Sequence, residues 1–200
     1  TGGDKNVAVG YTALNALTSG DFNVGVGYEA LNANTSGAQA TAVGYQALKA
    51  QTTIDGNNVA IGYKAGLSIT TGYHNTAVGG NCLDAEDEGI GNTAVGHNAL
   101  TAQDGANYNT AIGWEAGKAV TTSAGDVAIG AGAFSTTTTG HVTWDGVVAV
   151  GYEALKDQND SAERNTAIGY QAFANVTSGG YSTAVGHQAG YLLQGAAHSN

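Results

Sequence analysis

Proline is absent from all 200 residues. A proline removes a ladder donor, so its absence fits a chain whose backbone N–H groups are all needed by a continuous sheet. Methionine is absent as well, and the single cysteine, Cys82, excludes an intrachain disulfide framework. Basic residues are scarce: six Lys and Arg stand against sixteen Asp and Glu, a formal charge of -10. That balance repels polyanions, so no nucleic acid and no anionic membrane surface is expected as a partner. No apolar run is long enough for a spanning helix or a secretory signal, and membrane insertion is not expected either. Charged residues make up only 11% of the chain and glycine numbers 32. Such a composition is compatible with disorder, and only the order of the residues decides against it.

That order is a repeat. One nine-residue phrase is written eleven times, from Asn6-Val-Ala-Val-Gly-Tyr-Thr-Ala-Leu14 to Ser182-Thr-Ala-Val-Gly-His-Gln-Ala-Gly190. Its central glycine falls at 10, 27, 44, 62, 79, 96, 113, 130, 151, 169 and 186, in steps of 17 or 18 with one step of 21. A fixed period of this kind marks a solenoid, in which each repeat buries its apolar face only against its neighbours. The whole chain, 1–200, reads as one repetitive segment with repeats over 6–190, and is expected to be a segment of something longer or a processed product. Seventeen residues suit two strands of about five residues joined by two turns. At about 4.8 Å per stacked strand, eleven coils give a rod of roughly 50 Å.

The columns of the repeat assign the strand. Val or Ile precedes each glycine, and Val or Thr stands two residues earlier, which places a β-branched stripe on one face. Between them lies Ala in every copy but one, where it is Gly25. A small residue in every coil implies close approach, and a face packed on another chain accounts for it. An interface with another chain is therefore expected at Ala8, Ala42, Ala60, Ala77, Ala94, Ala111, Ala128, Ala149, Ala167 and Ala184. After the glycine comes Tyr, Trp or His in nine copies, the exceptions being Gly80 and Ala131. Stacked coils turn that column into an aromatic ladder with one edge in water.

Few residues offer chemistry outside the repeat. The 21-residue step holds Thr136–Gly146, and surplus length in a solenoid maps to a loop, often on a binding face. There His141, Trp144 and Asp145 are the candidate receptor residues, with the indole set to stack on a sugar. Asp84–Glu88 is the densest acidic run; it lacks the Asp/Asn-Gly spacing of a calcium loop and reads as a solvated linker. His97 and His187 lie in the aromatic column five coils apart, too far to share a metal. Gly25-Val26-Gly27 and Gly130-Ala131-Gly132 imitate dinucleotide loops but are repeat copies without a βαβ context. Cys82 replaces a column Ala and has no base in the pattern; it reads as a small buried hydrophobe. Asn34, Asn159 and Asn175 are sequons. No catalytic residue, metal site or cofactor is expected.

With its columns laid out, N-[TV]-A-[VI]-G-x-x-A-[LG] resembles the N-S-V-A-I-G-x-x-S signature of trimeric autotransporter adhesin heads. It is also similar to the N-T-A-V-G-Y-Q-A-L arrays of phage tail fibres and related surface fibres. The resemblance implies an all-β parallel β-roll, left-handed and wound as an intimate homotrimer, with the Ala column toward the partner chains. It implies an extracellular location, on a virion tail fibre or a cell surface. It implies a structural shaft or head segment, with adhesion to a cell-surface glycan or protein receptor as the reading within that class. A rival resemblance lies in Val-Gly-x-x-Ala-x, one hexapeptide of the left-handed β-helix acyltransferases. Only one segment per 17 residues fits that hexapeptide, and stretches such as Asn15–Gly20 do not.

Overall fold

The computed structural model of the chain describes residues 3–52, 56–118, 120–137, 146–158, 164–176 and 180–191. The regular elements among them are fourteen strands. They are β1 (Val7–Val9), β2 (Val24–Val26), β3 (Thr41–Val43), β4 (Val59–Ile61), β5 (Thr76–Val78), β6 (Thr93–Val95) and β7 (Thr110–Ile112). Then follow β8 (Val127–Ile129), β9 (Thr136–Thr137), β10 (Val148–Val150), β11 (Asp157–Gln158), β12 (Thr166–Ile168), β13 (Asn175–Val176) and β14 (Thr183–Val185). Eleven of them, one per repeat, form a single parallel sheet in the order β1-β2-β3-β4-β5-β6-β7-β8-β10-β12-β14. Each column residue lies opposite its counterpart one coil on, as in Ala94 opposite Ala111. The chain is an all-β solenoid.

The coil differs from two equal strands. Each strand of the main sheet has three residues, and among the described residues a second sheet forms only from β13, β11 and β9. The rest of the coil curls, because residues two and four places after the column glycine have positive φ: Glu29 54° and Leu31 51°, Gln46 56° and Leu48 48°. Such φ values are uncommon outside glycine. Here both N–H groups are bonded between coils: Glu29 N–H donates to Tyr11 C=O at 2.9 Å, and Leu31 N–H to Ala47 C=O at 3.1 Å. One bond points back along the rod and the other forward, so the bend keeps the ladder intact.

The column glycine begins this bend. Gly96 has φ 136°, and a Cβ placed there would lie 2.3 Å from the Gly113 carbonyl oxygen. The same clash recurs coil after coil, which explains an unbroken glycine column. The core is thin. It holds the strand Ala column, the second Ala column, and the Leu or Phe at the end of the phrase, such as Leu48, Leu83, Leu100 and Phe134. Three repeats end in glycine instead, at Gly66, Gly117 and Gly190, and after the first two Ile69 and Val120, three residues on, enter the core. A Cβ on Gly66 would lie 3.0 Å from Ile69 Cδ1. The larger side chain fills the space that the glycine leaves.

Candidate interaction surface

The strand parity is the reverse of the expected one. Ala42, Ala60, Ala94, Ala111, Ala149 and Ala167 are fully buried inside the chain, and Ala77, Ala128 and Ala184 nearly so. Their side chains pack on the chain's own core, which corrects the assignment of this column to a trimer interface. Ala8 is exposed, but β1 ends the described sheet. The physical reason is volume: a 17-residue coil closing on Leu and Phe leaves room at the strand for no more than a methyl group.

The β-branched columns therefore face outward. Ile61, Ile112 and Ile168 are each about 40% exposed (41%, 41% and 39%). Beyond the glycine column stands the aromatic ladder. Tyr11, Tyr28, Tyr45 and Tyr63 stack in sequence with ring centroids 5.3, 5.1 and 5.3 Å apart. Tyr152, Tyr170 and His187 form a second stack at 5.2 and 5.1 Å. The rings keep an exposed edge, as the column predicted; Trp114, between the two stacks, is 56% exposed.

Charged side chains border this apolar strip. Lys49 Nζ lies 2.7 Å from Glu29 Oε2, Lys118 3.0 Å from Glu115, and Lys156 2.9 Å from Glu153. The hydrogen bond from Lys49 and a second from Gln46 hold the Glu29 carboxyl below its ordinary range. Gln171 and Lys156 do the same for Glu153. The neighbouring carboxylate charge, in turn, raises the Tyr28 and Tyr152 hydroxyls.

A second device, not anticipated from the sequence, runs through the interior. The residue that opens the phrase is Asn in seven of the eleven copies, and from Asn58 to Asn109 these form a buried asparagine ladder. Asn75 Oδ1 accepts from Asn92 N–H at 2.9 Å while its Nδ2 donates to Gly89 C=O at 2.7 Å. Asn92 repeats both bonds with Asn109 N–H and Ala106 C=O. Asp126 continues the column, accepting from Val147 N–H at 2.8 Å and from the Ser123 hydroxyl at 2.5 Å. The recurrence of Asn in this column was the signal available in the sequence.

His141, Trp144 and Asp145 lie outside the described residues. The first two residues of the expected loop Thr136–Gly146, Thr136 and Thr137, are strand β9, paired with β11. The main sheet keeps register across the insertion, with Val127 opposite Val148. The acidic run is not wholly solvated: Glu86 is buried and accepts from Gly89 N–H, Gly105 N–H and Gln103 Nε2. Among the described residues, no cluster of three metal-ligating side chains forms. Asn34 is also buried, bonded both ways to Gly37, so that sequon has no free amide. Cys82 is buried, and burial pushes its thiol up to about 12.

Fold and columns together define a β-solenoid repeat protein, all-β, with a period of about 17 residues. Comparison with protein-family models, curated proteins and solved structures gives no match to this chain. Among the described residues, no helix is long and apolar enough to cross a membrane.

Proposed function

We propose that this chain is a structural segment, a shaft or head, of an extracellular fibre built from several parallel copies. The observation that carries the reading is the unbroken eleven-strand parallel sheet with its two internal polar and apolar columns. A solenoid of this kind spends its sequence on length and stiffness: nearly every column residue is used to bond the coil before or after it. The N-T-A-V-G-Y repeat and its resemblance to trimeric adhesin heads and tail-fibre arrays supply the class, a left-handed homotrimer on a virion tail or a cell surface. Spanning distance and presenting an adhesive surface is the task of that class. An antibody raised against the purified chain tests it. Labelling of fibres on intact particles or cells is the expected result, and label confined to the soluble interior of the cell would contradict it.

A further inference from the structure

Among the described residues, one surface feature has no internal role. Three outward columns run the length of the sheet: Val7 to Thr183, Val9 to Val185, and Tyr11 to His187. Across eleven coils these columns contain no Lys, Arg, Asp or Glu, although the chain has 22 such residues, six basic and sixteen acidic. We propose that this uncharged face is the surface on which a second copy of the same chain docks. The inference rests on the multi-copy fibre reading and names its contact face, which is the β-branched and aromatic face and not the Ala column.

Three observations select a second copy as the occupant. The first is area. Seven rings of the aromatic column (Tyr11, Tyr28, Tyr45, Tyr63, Trp114, Tyr152 and Tyr170) are 42–68% exposed. At about 200 Å² each, half exposed, they offer about 700 Å². A standard interface buries about 800 Å² per partner, and the adjoining Val and Ile columns supply the remainder. Soluble monomers rarely leave a contiguous apolar patch above a few hundred Å² uncovered.

The second is charge. Two chains each carrying a formal -10 repel, and the face they share must be the one that brings no carboxylate into contact. The ion pairs Glu29–Lys49, Glu115–Lys118 and Glu153–Lys156 stand just beyond the aromatic column, where a polar rim belongs. The third is periodicity. The columns repeat once per coil with matched register from β1 to β14, so a partner must have the same repeat over the same length to cover them. Another copy of this chain has both.

The test is sedimentation of the full chain beside two variants, with circular dichroism as a folding check. Val78→Glu with Ile129→Glu adds two charges to the face, on strands three apart in the sheet. Tyr108→Glu adds one at a 67% exposed ring on another column. The double variant should dissociate, its half-assembly concentration rising about 100-fold or more, since like charges are brought together in a contact. Tyr108→Glu should assemble like the parent. Hydroxyl-radical footprinting of the parent provides a measurement free of folding defects: Tyr28, Tyr45 and Tyr63 should be protected in the assembly relative to Tyr108. A parent that assembles while the double variant assembles equally well, or with the ladder rings as reactive as Tyr108, overturns the docking face and leaves the fibre reading standing. A parent that is monomeric at every concentration removes both.

Discussion

Replacing Asn75 by alanine removes one rung of the internal ladder and changes nothing on the surface. Two bonds are lost, to Asn92 N–H at 2.9 Å and to Gly89 C=O at 2.7 Å, and both involve fully or almost fully buried side chains. A buried backbone group deprived of its partner costs about 1–3 kcal/mol. Two such groups give about 2–6 kcal/mol, less whatever a water entering the vacated space recovers. The column already contains Ala40 and Val147, so the coil should still form; the loss is of stability and not of fold. The control is Thr76→Ala, next in sequence but outward, which should stay within about 0.5 kcal/mol. Urea denaturation followed by circular dichroism reads the difference, and amide exchange localises it, with Asn92 N–H losing protection first. If Asn75→Ala melts with Thr76→Ala, the ladder does not stabilise the stack, and the reasoning about buried amides fails.

Three further outcomes follow from the same geometry. Gly96→Ala should cost more than about 2 kcal/mol, from positive φ plus a methyl 2.3 Å from the Gly113 oxygen, while Gly105→Ala, with open space at its Cβ, should cost only the backbone strain; equal melting of the two would refute the close approach. Ala94→Leu should destabilise the single chain by about 1–3 kcal/mol through overpacking, and should do so in a dissociated chain too, where an interface residue would have no effect. Cys82 should resist iodoacetamide at pH 8 in the folded chain, because a thiol at about 12 is only about one part in 10⁴ thiolate there, and should react once urea unfolds it; rapid labelling of the native protein would show that the site is open.

The period of the repeat located the main-sheet strands, and their glycine column followed from close approach. The parity of the strand did not follow. Alternation of period two is the same whichever face is buried, and Thr-Ala-Val names no inside by itself. The deciding fact is the narrow interior set by Leu48, Leu83 and Phe134 across the coil, which is a property of closure and not of the strand. The curled half of the coil was equally hidden, since Leu31 or Leu100 at φ near 50° runs against ordinary preference and is held there by bonds to other coils. Glu86 was hidden for the opposite reason: its charge suggested a solvated linker, and for it, as for the asparagine column, the partners include backbone groups that no sequence displays.

Sedimentation of the intact chain, combined with solution scattering, tests the central claim most directly, that this solenoid is built to assemble lengthwise with its own copies. Three chains of 19.9 kDa should sediment together as one elongated particle, about 60 kDa in mass, that dissociates only at high dilution. A single species of 19.9 kDa that persists at high concentration, with the aromatic ladder open to solvent, would contradict it.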